Sequence, residues 1–493
     1  MSQPTHIRIR RAGALRAGAP CASALFSAVS LAALLGCSGD VVNLGEDASP
    51  RPTPPSYSRC VDSPTLAGDV IVSEQAQLDE LEGCETIEGD LYVQPLFYPD
   101  LRPLHDLKAV GGVLAFSEAP RPDGVGHSIE EVELIRSVSA EWLASFEGME
   151  SLERVGSLTV SSATAPDLSS FSQLRALTGE GVLDLWCQNI RDLEPLAHLQ
   201  GIKALLVSGS QLASIAALQL PLTLSRLRIS GEQLTELGAL RSLRKVDTDL
   251  EVWGTLLHDL TPFSQLESVG GYFIVENASV LESLHGLENL TSAGQVQLLS
   301  NPVLQDLDGL TFLKTAEGLT IVNNERLRQV PDFPALGWIF KVLDIYDNPA
   351  LEQIAGFSGI LASQSFALSD GTLHRLPIDE DPMNGLYARP DMVTIRHNPL
   401  LRSFSMPAGW PGGKYVEIND NASLETLGFT EFEAIDMLSI TSNPSLRTVD
   451  LGVLGTVDTL SVIGNPLLSS STFDGVRTFE RDMAGNAGQP PTP

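Results

Sequence analysis

The sequence predicts a mostly β repeat solenoid: a stack of about 18 short parallel strands joined by short 3₁₀ or helical connectors. Three observations predict it. An apolar-x-apolar triplet followed three residues later by Asn or a substitute recurs eighteen times between residues 70 and 470, as in Leu319-Thr320-Ile321-x-x-Asn324 and Leu438-Ser439-Ile440-x-x-Asn443. The Asn position advances in steps of 19 to 27 residues, mostly 22 to 24. Between the triplets leucines recur every three residues, as in Leu281, Leu284, Leu287 and Leu290.

One such repeat cannot bury its own apolar face, so each must stack on its neighbours. The two apolar residues of a triplet point into the core, because side chains alternate along a strand. An Asn at a fixed offset in an otherwise apolar frame satisfies backbone groups where the chain turns. The expected ladder is Asn277, Asn301, Asn324, Asn348, Asn398, Asn421, Asn443 and Asn465. In the first half the same position holds Gln75, Leu96, Glu118, Ser137, Ala163, Gln188, Ser210, Glu232 and Thr255, and it holds Gly371 later, so register there rests on the triplets alone. A leucine period of three suits tight turns or 3₁₀ segments better than a long amphipathic helix. Gly89, Gly112, Gly156, Gly271 and Gly318 precede strands, where a positive φ or a close turn is expected.

The opening, Cys60 followed by Gly68-Asp69-Val70-Ile71-Val72 and then Leu78 through Gly83-Cys84 to Leu91-Tyr92-Val93, resembles a receptor L domain, the ligand-binding leucine-rich solenoid of insulin-receptor and growth-factor-receptor ectodomains. The stretch Leu183-x-Leu185-x-x-Gln188-x-Ile190-x-Asp192-Leu193-x-Pro195-Leu196-x-x-Leu199 resembles an internalin-type repeat. Together these cover about residues 60 to 470 and imply a leucine-rich-repeat fold. Receptor L domains have few rungs and are followed by cysteine-rich modules. Here the rungs run on, so no receptor signalling machinery is implied.

Arg8, Arg10, Arg11 and Arg16 precede an apolar run from Cys21 to Leu35, the pattern of a secretory signal. Its ending, Leu34-Leu35-Gly36-Cys37, resembles the bacterial lipobox, which implies cleavage before Cys37, lipid on its sulfur, and a second, amide-linked chain for stable anchoring. The expected organisation is a lipoprotein signal peptide at 1–36, the anchor and a Pro-rich stalk at 37–59, a continuous solenoid at 60–475 and a disordered tail at 476–493. The expected location is the cell envelope, on the outer membrane of a Gram-negative bacterium, with the membrane touched through lipid only. Of five cysteines, Cys21 leaves with the signal and Cys37 carries lipid. Cys60 and Cys84 are then the candidate disulfide of an exported protein, and Cys187 is left over as a buried thiol.

The formal net charge is −31, and −35 without the four leader arginines. Such a surface repels nucleic acid and anionic headgroups, both of which bind through Lys and Arg. No cofactor and no metal site are expected: the eight histidines are scattered, without HExxH or paired Cys/His spacing. Residues 379–385 (DEDPMNG) have the composition of a calcium loop but not its ligand spacing. Gly409-Trp410-Pro411-Gly412-Gly413-Lys414 lacks the first Gly position and the Ser/Thr of a phosphate loop. The chain is therefore expected to act through a surface and not as an enzyme.

That surface is the outer face of the sheet: the residue between the two triplet apolars and the one after the second. Those positions carry Tyr92, Phe116, Trp186, Trp253, Phe273 and Tyr346, with Arg228 and Arg396, beside Asp184, Glu251, Asp344 and Glu417. Exposed aromatics with Arg are the usual anchors of protein recognition. The expected function is a lipid-anchored, non-enzymatic recognition protein whose sheet face binds a protein or glycan. The alternative is a structural or adhesion spacer without a discrete ligand site.

Overall fold

Successive apolar triplets pair in parallel across the whole solenoid. The structure, a computed structural model, describes residues 58–94, 99–116, 143, 145–161, 168–358, 392–406, 412–430 and 432–487. One row of inward residues runs Leu205, Leu227, Leu250, Phe273, Val296, Leu319, Leu343, Val393, Val416, Leu438 and Leu460, each the register partner of the next. A second row, two residues later, runs from Val207 through Val252, Ile321 and Ile418 to Val462, and both rows are buried. Burying one such side chain contributes about 1.5–3 kcal/mol. The repeat stacks because it doubles that gain at every interface.

The period-three leucines build the opposite wall. Leu281, Leu284, Leu287 and Leu290, and again Leu304, Leu307, Leu310 and Leu313, are buried. They sit in turns and single 3₁₀ segments such as Glu194–Leu196, Thr261–Phe263 and Asp308–Leu310. Each segment is short because 3₁₀ side chains three apart eclipse, which suits a bend better than a rod. One short α-helix, Gln75–Asp79, precedes them near the amino-terminal end. There Cys60 and Cys84 form a disulfide, with Cα atoms 5.2 Å apart. The expected fold class, a parallel β solenoid with 3₁₀ connectors, is the one observed. Among the described residues no helix is long and apolar enough to cross a membrane.

The rung count differs from the expected eighteen. Ala109–Phe116 pairs directly with Arg154–Ser161, and Trp338–Tyr346 directly with Met392–Arg396. The expected rungs at Ser137 and Gly371 lie outside the described residues, and neither copy of the pattern carries the Asn. Conversely, Arg477–Asp482 pairs in parallel with Thr456–Ile463, so the solenoid runs through the 475 boundary to Ala487. This last strand has no apolar triplet. Thr478 and Arg481 stand in register with the core residues Val457 and Leu460, and Arg481 reaches Asp474 at 3.4 Å. A charged residue on a core row ends the stack with a polar cap, as a terminal repeat requires.

The buried Asn residues form one continuous hydrogen-bond ladder. The side-chain oxygen of each accepts the amide N–H of the ladder residue one rung earlier, from Ala278 N to Asn301 Oδ1 (3.0 Å) through Asn348 N to Asn398 Oδ1 (3.2 Å) to Asn465 N on Asn486 Oδ1 (3.1 Å). Each Nδ2 donates to a carbonyl of the preceding strand, Asn398 to Ile345 O at 2.9 Å for example. Asn486 was not among the expected members. Asn277 was, and is not one: it is exposed at φ 53°, and the ladder position is Ala278. Ser300, Asn323, Asp347, His397, Asp420 and Ser442 occupy the same left-handed position one residue before a ladder Asn. Small polar residues tolerate that conformation best.

The misplacement has a physical cause. At Gly270–Gly271 and Gly111–Gly112 the strands carry an extra residue, and register shifts between Val269 and Tyr272 and between Val110 and Val113. Neither Gly112 nor Gly271 has a positive φ; the expectation of one is corrected. They are glycine because Asp90 Oδ1 and Asp249 Oδ1 occupy the place of a Cβ. Those carboxylate oxygens accept the amides of Val113 (2.8 Å) and Tyr272 (3.0 Å) on the next rung.

Candidate functional site

A one-residue slip moves every side chain of a strand to the other face. Two of the bulged strands show it: Phe116 and Phe273, expected on the outer face, are fully buried in the core. Phe116 packs edge-on against Phe146, with ring centroids 5.3 Å apart. Side-chain alternation also gives the longer strands a third outward position, immediately before the first apolar residue, beyond the two expected. It places Tyr272, 42% exposed, and Tyr415 on the face. Gly111-Gly112 and Gly270-Gly271 are the sequence signal of the two shifts that bury Phe116 and Phe273.

The remaining candidates, Tyr92, Trp186, Arg228, Trp253, Tyr346 and Arg396, are half-buried on the outer face. Tyr92 stands apart near the amino-terminal end. Its hydroxyl donates to Asp90 Oδ2 at 3.0 Å, and burial, that bond and the charges of Asp90 and Asp69 push its pKa up to about 12. The others fall into two clusters.

In the first, Trp186, Ser208, Ser230 and Trp253 are register partners in turn, so the two indoles are three strand steps apart, about 14 Å. Arg228 lies between them, its guanidinium carbon 5.9 Å from the Trp186 ring centre and 5.2 Å from that of Trp253. Nε and Nη2 donate to the two Glu251 carboxylate oxygens at 2.9 and 2.8 Å. With side-chain exposures of 13% and 6%, this pair is almost removed from water. Its bidentate geometry is what makes a desolvated pair tolerable. Arg226 pairs with Asp249 beside it. Burial opposes the Asp249 charge, but the Arg226 hydrogen bond, the Tyr272 amide and the nearby guanidinium charges outweigh it, holding the carboxyl below its usual range. Glu276, next to Trp253 in register, is held above the usual range by burial and then by the Glu251 charge.

The second cluster sits on three adjacent strands. Arg396 lies 4.5 Å above the Tyr346 ring centre. Asp344 and Thr394 are register partners, as are Thr394 and Glu417. Burial raises the Asp344 pKa, and Glu417 adds to it, against a hydrogen bond from Thr394 and the charge of Arg396. Asp344 Oδ1 and Arg396 Nε are both buried and carry no hydrogen bond among the described residues. Glu417 accepts from Tyr415 (3.4 Å) and from Asn419. Between the clusters the outward positions Gln295, Gln297, Leu299, Thr320 and Val322 carry no charge.

Among the described residues no group of three His, Cys, Asp or Glu side chains is placed to hold a metal ion. Cys37 and the acidic segment 379–385 lie outside the described residues. Cys187 is buried.

No family model matches the chain, and no curated protein matches it. Among solved structures it is similar to an internalin, InlF, of Listeria monocytogenes (15% identity, 59% of this chain and 87% of that one, TM-score 0.30). It is also similar to a leucine-rich-repeat protein of Leptospira interrogans (12%, 78% and 93%, TM-score 0.31). A third likeness is to TLR13 in a complex with single-stranded RNA (15%, 85% and 73%, TM-score 0.23). The fold class of this chain rests on its own strand register.

Proposed function

We propose that the chain is a non-enzymatic recognition protein, lipid-anchored at the cell envelope through Cys37, whose outer sheet face binds a protein partner around Trp186, Arg228 and Trp253. The observation that supports this reading is the state of Arg228. Its charge is met by Glu251 and its guanidinium carbon lies over both indoles, so it acts as a post between two large aromatic side chains on a face open to solvent. Aromatics ordered before binding lose little further conformational entropy when a partner covers them. Aromatic side chains with Arg carry a large share of binding energy at protein interfaces. A spacer without a ligand has no need of desolvated charge on its solvent face.

The test is capture from envelope extracts and extracellular proteins by wild type and by Trp186→Ala/Trp253→Ala, with melting temperatures measured in parallel. Specific capture by wild type that is lost in a folded variant supports the reading. Equal capture by both refutes the assignment of this face. For the anchor, Cys37→Ser is expected to release the protein from membranes, and retention with normal processing would refute it.

A further inference from the structure

This inference rests on the reading of the sheet face as a recognition surface and names the chemistry of its partner. We propose that the face takes an extended polypeptide segment bearing Lys or Arg side chains, laid across the strands from Trp186 to Arg396.

Charge bookkeeping along the face points to a cation. Its three arginines are outnumbered by its carboxylates: Arg226 pairs with Asp249, Arg228 with Glu251, and Arg396 lies over the Tyr346 ring in the field of Asp344 with no ion pair among the described residues. Among the described residues Glu276, Asp344 and Glu417 have no salt-bridge partner, so one guanidinium faces three carboxylates there. All three are half-buried on the solvent-facing side of the sheet, Glu276 in the row of Trp186, Trp253 and Tyr346, Asp344 and Glu417 in the row two residues earlier. Burial and like charge already work against ionisation of Glu276 and Asp344. An approaching ammonium or guanidinium group relieves that repulsion, and an approaching carboxylate or phosphate adds to it.

The spacing fits an extended chain. Trp186, Ser208, Ser230, Trp253, Glu276, Leu299, Val322, Tyr346 and Arg396 are successive register partners, eight strand steps in all. At about 4.8 Å per step the row is about 38 Å long, the reach of about twelve extended residues. Along it the order is indole, two serines, indole, carboxylate, two aliphatic side chains, phenol and guanidinium. A segment with apolar side chains over the indoles and aliphatic positions and a cationic one over Glu276 meets these with their complements, and its cations fall short of Arg396. The indole faces themselves also attract cations, which adds to the same preference.

The experiment pans full-length protein in detergent against displayed random peptides of about twelve residues, the length the row accommodates. Selected peptides are then synthesised and their Kd measured on wild type, Trp186→Ala/Trp253→Ala, Glu276→Gln/Asp344→Asn/Glu417→Gln and the off-face control Glu282→Gln. The expected result is peptides of net positive charge whose affinity is lost with the tryptophans. It also falls on the order of threefold for each face carboxylate removed, and is unchanged in the control. Peptides that need the tryptophans but are neutral or acidic, or that ignore the triple variant, overturn the cationic assignment and leave the recognition face standing. Peptides indifferent to the tryptophans, or no selected peptide, overturn both.

Discussion

Asn398→Ala is the sharpest test of what holds the carboxy-terminal half together. Asn398 is fully buried and joins two rungs whose chain positions are 50 residues apart. Its Oδ1 accepts the Asn348 amide at 3.2 Å, and its Nδ2 donates to the carbonyls of Ile345 and Arg396, both at 2.9 Å. Alanine removes these bonds, and the longer ones that Oδ1 accepts from Asn348 Nδ2 (3.4 Å) and Nδ2 donates to Asn421 Oδ1 (3.5 Å), and puts nothing in their place. The Asn348 N–H and the Ile345 C=O then stay buried without this partner, at about 1–3 kcal/mol each, so the loss is about 2–6 kcal/mol. Asn289 supplies the comparison: it is exposed and makes one bond, Nδ2 to Ser264 O at 2.7 Å, so Asn289→Ala is expected to cost about 1 kcal/mol or less. Urea unfolding followed by far-UV circular dichroism gives both values, and hydrogen exchange locates the loss, expected at the amides of 348 and 421 and their flanking strands. If Asn398→Ala costs no more than Asn289→Ala, the ladder is ornament on a stack held by its leucines, and the reasoning fails.

Three further predictions use other parts of the molecule. Thr255 holds the ladder position one rung before Ala278, fully buried, with its hydroxyl lacking a hydrogen bond among the described residues; Thr255→Val is expected to be neutral or stabilising by about 1 kcal/mol, and a loss above that in urea unfolding counts against it. Glu251→Ala strands the Arg228 guanidinium and is expected to cost about 3–5 kcal/mol, whereas Arg228→Leu/Glu251→Leu should restore most of it, as measured by the same unfolding curves. Asp344 and Asp249 should respond oppositely to pH. The raised Asp344 pKa means its stabilising contribution is present below the ordinary carboxylate range and lost as pH rises through the raised value, so Asp344→Asn should gain melting temperature over wild type with rising pH. The lowered Asp249 pKa means its contribution is present above the ordinary range and lost as pH falls through the lowered value, so the deficit of Asp249→Asn should vanish in acid; parallel melting-temperature profiles for the two variants would contradict both signs.

The two rows of core residues were legible in the sequence because each is repeated, and repetition averages away local exceptions. Leu319 and Ile321 need no partner to announce which way they face. Asn277 was misread because it is an Asn near the right place, one residue ahead of Ala278. Phe116 and Phe273 were misread for a related reason: an aromatic residue beside a shifted triplet is equally consistent with either face until the bulge is counted. Of the outer sheet face, the aromatic and Arg residues were visible, but not that Arg228 is paired with Glu251 and stands between two indoles. Glu276 and Tyr272 went unmarked, because their places follow from strands that carry the extra residue.

By itself, then, the sequence determined the period, the parallel solenoid, the core rows and the outward positions of the regular strands. These depend on patterns within one repeat, and hydrophobic burial enforces them rung by rung. Only the tertiary structure decided where the stack ends, which rungs adjoin across 117–142 and 359–391, which residue of a bulged strand faces out, and which side chains on different rungs touch. Those outcomes depend on the register between neighbouring strands, set by bulges and turns that no single repeat contains.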